Sequence, residues 1–329
     1  MKSPYTGKEM TIKKEWRKMT YRKEEFEVCF HTWHCEESEE FFEDDSFAQL
    51  NYNQVLNQYR SKHSIPTPKE IKAIREKYGL NKLKMSEVLG FGANVYRHYE
   101  DGEMPSQSNA RLIQLAANPR EFRKLLDISK VIEGALLEKT LKTIKKLIEE
   151  QKAERNETFI EDCLFGGSQP NLYNGFTSPD FEKFAEMVLF FSEKLQPWKT
   201  KINKLLFYAD FTFFKQYGQS ISGEKYYAID YGPVPDYFNS IFENLEKRGF
   251  IRIDHLPLNN GDFGEKFFAL KKFNANIFQE KELNVLNDII SRFIKTSTKE
   301  IIRISHQEEA WIKNYPNKEI SYSYAFDLK

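Results

Sequence analysis

Thr67-Pro68-Lys-Glu-Ile-Lys-Ala-Ile-Arg-Glu-Lys-Tyr78-Gly79 carries the signals of a whole amphipathic helix in one short stretch. Thr67 suits the N-cap, Pro68 fits the first helical position, and Gly79 stops the run. A second short helix is expected at Lys82–Leu89 and a third at about Ala93–Tyr99, ended by Asp101-Gly102. Between them Gly90-Phe-Gly92 reads as a tight turn, and Ser106 caps a fourth helix that ends before Pro119. Helical periodicity recurs further along the chain, whereas strand patterns stay short. The expected class is mainly α with small β elements (α+β).

Two short helices joined through a glycine turn are the parts of a helix-turn-helix. Met85, Val88, Leu89, Val95 and Tyr99 supply a small core, which leaves Asn94, Arg97 and His98 on or near the outer face of the third helix. Asn can pair bidentately with adenine, and Arg with guanine or a phosphate. The expected DNA-contacting set is Lys84, Ser86, Asn94, Tyr96, Arg97 and His98. Charge agrees: the chain is neutral overall, but residues 61–126 carry a net +5 against −3 for residues 1–60 and −2 for residues 127–329. Phosphate attraction follows local positive charge, so a nucleic-acid partner belongs with the middle segment.

A chain of 329 residues is long for one domain. Residues 1–60 read as a β-rich unit, with strands at Thr11–Met19 and Tyr21–Phe30 and an acidic stretch of seven carboxylates at Glu36–Asp45. Residues 61–126 are the helix-turn-helix. Residues 127–177 hold a long helix over 128–155, striped by Leu137, Leu141, Ile144 and Ile148 as if to meet another helix, and a linker over 156–177. Residues 178–329 form the last unit. Its expected helices are at about 179–195 (with Ser178-Pro179 as N-cap and first residue), 199–217 (closed by Gly218), 235–247, 279–295 and 298–313. A short strand lies within Tyr226–Pro235. Two strands, Phe250–His255 and Lys266–Lys272, flank the turn Asn259-Asn-Gly-Asp262.

Three cysteines, Cys29, Cys35 and Cys163, cannot make a disulfide framework and suit a reducing compartment. No apolar run approaches the ~20 residues that span a bilayer, and no signal-peptide pattern opens the chain. The expected place is the cytoplasm, with no membrane partner. Cys29, His31, His34 and Cys35 match no usual zinc spacing. No metal or cofactor is expected.

Gly92-Ala-Asn-Val-Tyr-Arg-His-Tyr-Glu-Asp-Gly102 resembles the Xre/Cro repressors, and within them looks most like MqsA-type antitoxins. The resemblance implies that Asn94 reads bases and that His98 stands where those proteins place a base-reading Arg. It also implies an N-terminal zinc knuckle, whose ligand positions fall on Ser3, Thr6, Cys35 and Ser38. Only one thiolate remains there, and hydroxyls are poor zinc ligands, so the unit is expected to be a degenerate, metal-free relative. Lys201-Ile-Asn-Lys-Leu-Leu-Phe-Tyr-Ala-Asp210, Gly223, Tyr231-Gly-Pro-Val234 and Ser305-His-Gln-Glu-Glu-Ala-Trp311 resemble the SocA-like family, also called the Panacea domain.

That second resemblance implies an antitoxin that binds a cognate toxin, alarmone-synthetase toxins being among those that such domains neutralise. Candidate toxin-binding residues are Tyr208, Tyr226, Tyr227, Tyr231, Gly232, Pro233, Val234 and Tyr237, since tyrosines dominate interface hot spots. Operator DNA is the second expected partner, bound as a homodimer because one recognition helix reads few base pairs. Asp210, Asp230, Asp236 and His306 stand beside no catalytic motif, so the chain reads as a non-enzyme. A transcription regulator with a ligand- or partner-sensing domain and a proteolysis adaptor are the alternative readings.

Overall fold

A computed structural model describes residues 1–153, 169–258 and 262–329. Cys163, most of the expected linker and the centre of the 259–262 turn lie outside the described residues. The chain divides into two compact units. One joins Met1–Val55 to Glu161–Lys329, and the other is Leu56–Ile160. Helices dominate both, and the sheets are small and antiparallel.

In the first unit, β1 (Thr11–Tyr21), β2 (Glu24–Cys35) and β3 (Glu40–Phe42) form an antiparallel sheet in that order, with Trp16 opposite Cys29 and Trp33 opposite Phe42. β3 is too short to cover β2. Beyond it, the edge of β2 is finished by a helix that the sequence reading missed, α1 (Asp45–His63). The Asn51 side chain accepts from His31 N at 2.8 Å and donates to His31 O at 2.9 Å. Gln54 does the same for Cys29, at 2.9 Å both ways. Two side-chain amides, about one helical turn apart, thus act as a substitute strand and satisfy the backbone groups of both residues.

Residues 1–60, read from sequence as a unit of their own, share a core with the C-terminal part. Cys29 and Leu50 belong to the same apolar cluster as Phe184, Phe207 and Phe326. That cluster surrounds α8 (Phe181–Leu195) and α9 (Lys199–Tyr217). Ile202, Leu205, Leu206 and Ala209 are buried as their spacing demands. So are Phe207, Tyr208 and Phe211 on the other sides, because α9 is packed by α8, β5 (Gly232–Pro235), α11 (Glu280–Phe293), α12 (Thr298–Ser305) and a 3-10 turn at Tyr322–Asp327. Each such aromatic contributes roughly 1.5–3 kcal/mol of burial.

Ser178-Pro179 do not start α8. Asp180 is the N-cap, its carboxylate accepting from Lys183 N at 3.0 Å. Ser178 and Pro179 are pinned instead against Gly223, whose Cα leaves no room for a Cβ: one would lie 2.6 Å from Ser178 O. The expected strand in 226–235 is a hairpin, β4 (Tyr226–Ile229) with β5, turning at Asp230-Tyr231. Two prolines are tolerated in β5 because it pairs on one side only. α10 (Phe238–Lys247), β6 (Ile251–Pro257), β7 (Phe263–Ala269) and the single turn α13 (Glu309–Ile312) complete the unit.

The second unit is helical. It contains α2 (Pro68–Lys77), α3 (Lys82–Val88), α4 (Val95–Glu100), α5 (Gln107–Ala116), α6 (Pro119–Ser129) and α7 (Gly134–Ala153). Thr67 and Glu70 form a reciprocal capping box on α2, and Ser106 caps α5. The helix expected over 128–155 is split. Lys130 takes the left-handed conformation after α6, and α7 then folds back so that Ile144 is buried with Leu137, Leu141 and Ile148 packed beside it.

Candidate functional site

Three separated sequence segments meet at one place in the first unit. Lys204, on the buried face of α9, donates from Nζ to Pro233 O at 2.9 Å. Burial brings its pKa down to about 7. Gly232 has φ +96, and a Cβ there would lie 2.4 Å from Ser305 Oγ and 2.7 Å from Lys204 Cε. Glycine is therefore required twice, by the backbone and by the space. Ser305 Oγ donates to Ile302 O at 2.9 Å, closing the third side. Lys201 ties the same helix to the end of α11, donating to Phe293 O at 2.9 Å and Thr296 O at 2.6 Å.

Above this knot lies an aromatic ladder. The His306 ring stacks on Trp311 with centroids 4.0 Å apart, and Trp311 lies 4.7 Å from Tyr315. Trp311 Nε1 donates to Ile229 O at 2.8 Å, and Tyr315 Oη to Asp230 Oδ1 at 3.1 Å. The ladder holds the β4–β5 turn and presents three large side chains to solvent: Tyr231 is 64% exposed, Ile312 47% and Tyr315 42%. Residues 202–312 match the family described as Antitoxin SocA-like, Panacea domain. The match spans 111 of the chain's 329 residues and does not reach the helical unit. No curated protein and no solved structure matches the chain.

Within this Panacea domain the expected toxin-binding residues separate into two groups. Tyr231 and Tyr237 are exposed and Tyr227 is half-buried, so these three can meet a partner. Tyr208, Tyr226, Gly232, Pro233 and Val234 are buried and cannot. Their roles are internal: Tyr208 Oη donates to Glu308 Oε1 at 3.1 Å, and Tyr226 Oη to Asp210 Oδ2 at 2.8 Å. Asp210 also accepts from Ile221 N at 2.8 Å, Ser222 N at 2.9 Å and Ser222 Oγ at 2.5 Å. Full burial still raises its pKa, and the four donors work against that rise. Sequence reasoning passed over Ile312 and Tyr315. Their spacing from Trp311 was visible, but their exposure depends on how α13 ends.

In the helical unit, Asn94, Arg97 and His98 are exposed, with Asn94 at the N-cap of α4. Lys84 is half-buried and paired with Glu87 at 2.7 Å, so part of its charge is already compensated. Ser86 and Tyr96, expected among the DNA-contacting residues, are buried. Ser86 Oγ donates to Gly92 O at 2.7 Å and accepts from Tyr96 N at 3.2 Å, stapling the turn to α4. Tyr96 Oη donates to Ile71 O at 2.7 Å from a fully buried position.

The four positions of the N-terminal knuckle do come together. Thr6 Oγ1 lies 3.3 Å from Cys35 Sγ, and Ser3 Oγ accepts from the amides of Tyr5 and Thr6, both at 3.3 Å. Hydroxyls of Ser38, Thr6 and Ser3 around the sulfur bring the Cys35 pKa down to about 6. Burial pushes the Cys29 thiol up to about 11, and His31 Nδ1 is spent on Cys29 O at 2.8 Å. Among the described residues no group of three His, Cys, Asp or Glu is placed to hold a metal. No helix among them is long and apolar enough to cross a membrane.

Proposed function

We propose that the chain is a non-enzymatic cytoplasmic antitoxin with two binding arms. The observation that carries this reading is the SocA-like Panacea antitoxin domain at residues 202–312. In this reading the C-terminal domain binds a cognate toxin directly and blocks it. The contacting surface is built from Tyr231, Tyr227 and Tyr237 along the β4–β5 hairpin, with Ile312 and Tyr315 beside the turn. Exposed tyrosines on a rigid support favour this, because they bring large contact area at small entropy cost.

The helical unit is the second arm. Asn94, Arg97 and His98, with Lys84 at the margin, contact operator DNA, and a homodimer on two half-sites represses the operon that encodes the pair. The support is the net +5 of residues 61–126 and the outward placement of those three side chains on a short, firmly stapled helix.

Co-expression tests both arms. The neighbouring gene should arrest growth alone, and the full chain should restore growth and co-purify with its product. In a gel shift the full chain should retard its own promoter. A neighbouring gene without toxicity, or rescue without any complex, would remove the neutralisation reading. Retardation of unrelated DNA to the same extent would remove the operator reading.

A further inference from the structure

β1 is an edge strand with no backbone partner on its outer side among the described residues. Which residues line that side follows from β2. Cys29 and His31 use their N–H and C=O on Asn51 and Gln54, so the even-numbered residues of β2 are the ones that bond β1. Their partners, in a register that opens with His34 opposite Thr11, are the odd-numbered residues of β1. The N–H and C=O groups of Ile12, Lys14, Trp16, Lys18 and Thr20 therefore point away from the sheet. The strand is long for an edge, spanning roughly 36 Å at ~3.3 Å per residue.

Long open edges invite pairing and are usually closed or shortened. Lysines alone are one way to repel a strand. Here they do something narrower, because Lys14 and Lys18 stand on one face, Lys13 and Arg17 on the other, and Glu15 is the only carboxylate in the strand. Lys13 lies over Phe41, Arg17 over Phe30, and Lys14 donates to Phe326 O. Lys18 alone of the four has a carboxylate, Glu25 at 2.9 Å. The edge also exposes Ile12 at 51% and Trp16 at 50%, which a purely protective strand would avoid. A basic strand would meet repulsion, a neutral strand would gain nothing from the cations, and a second copy of β1 centred on Trp16 would place Lys14 against Lys18 while pairing Glu15 with Arg17. A strand carrying carboxylates would meet cations on both faces.

We propose that the outer edge of β1 takes an acidic extended segment of a partner protein as a fourth strand. The addition makes backbone bonds to the five outward residues, and the four cations select for carboxylates. This surface shares no residue with the Tyr231 surface of the Panacea domain.

The test uses the full chain and a fluorescent, acetylated Glu-Thr repeat peptide as probe. Saturable binding is expected. It should weaken at least tenfold when alternate peptide nitrogens are methylated, when the probe is a Lys-Thr repeat, and in the double variant Lys13→Glu, Arg17→Glu. Lys18→Pro, which removes an outward N–H, should lose far more than Lys18→Thr, which removes only the charge. Melting curves check that both stay folded, and the methylated probe decides if the proline variant does not. Equal binding of the methylated probe overturns strand addition, as does absence of binding. Displacement by oligo-dT would make the edge a nucleic-acid surface, and a concentration-dependent dimer lost in Lys18→Pro would assign it to a second copy. Either result overturns the proposal.

Discussion

The turn at Gly232 and the turn at Gly90–Gly92 both let a short motif change direction, yet they are built differently. Gly232 sits against Ser305 and a buried lysine, with no space for a methyl group. Gly90 also has a positive φ, +72, but a Cβ there would meet nothing within 4 Å. Around Gly232 the motif points inward except at its first residue: Lys204, Pro233, Val234 and Ser305 are buried and Tyr231 is exposed. Around Gly92 the motif exposes Asn94, Arg97 and His98 and buries its staples, Ser86 and Tyr96, together with Tyr99. The first motif therefore builds a scaffold, and the residues beside it face outward. In the second, the motif itself carries the outward side chains.

The largest expected effect comes from breaking the tighter turn. Gly232→Val combines a forbidden φ with overlap of Ser305 and Lys204, and should destabilise the protein by roughly 3 kcal/mol or more. Gly90→Ala meets only the backbone penalty, about 1 kcal/mol. Denaturant midpoints of the two variants measure the difference. Equal midpoints would show that the packing around Gly232 relaxes and that the contrast is false.

Function and stability should then part company on the exposed residues. Tyr231→Ala is expected to leave the melting point nearly unchanged, within ~0.5 kcal/mol, and to weaken toxin binding by about 2 kcal/mol. Asn94→Ala and Arg97→Ala should each lose roughly 1–3 kcal/mol of specific promoter binding with similarly small stability changes. Titration calorimetry with the toxin and gel shifts with promoter DNA separate the two. Wild-type promoter affinity in both helical variants would move the reading face elsewhere.

The last effect is read as a pH dependence and tests the scaffold side. Lys204 has a folded pKa of about 7 against 10.5 for the free side chain. Between those values the unfolded chain holds the extra proton, so this group makes stability rise with pH there, and its full penalty is present below neutrality. The slope is at most about 1.4 kcal/mol per pH unit. Lys204→Met should flatten the wild-type rise between about pH 7 and about pH 10, while losing about 1 kcal/mol for the unbonded Pro233 carbonyl. Parallel pH profiles for the two proteins would mean that Lys204 is not buried as a charge.

Much of the architecture was legible because its causes are local. Thr67-Pro68 with Glu70, Ser106, and Gly218 after α9 each specify a helix end through bonds made within a few residues. The Lys201–Asp210 helix, the Gly-Pro-Val turn and the Ser305–Trp311 segment were likewise recognisable one by one. That they meet was not legible, since Lys204, Gly232 and Ser305 are brought together only by packing.

The misreadings share that origin. α1 escaped notice because its buried face carries Asn51 and Gln54, polar residues whose partners are the backbone of β2. Ser178-Pro179 looked like a helix start until Gly223, far along the chain, occupied the space beside it. Ser86, Tyr96, Tyr208 and Tyr226 looked like contact residues by type and turned out to be internal hydrogen-bond donors. By itself the sequence determined most of the helices and the local ends at Thr67, Ser106 and Gly218, all set by short-range sterics and hydrogen bonds. Tertiary structure alone decided which motif residues stay outside, because burial depends on surfaces contributed by distant segments.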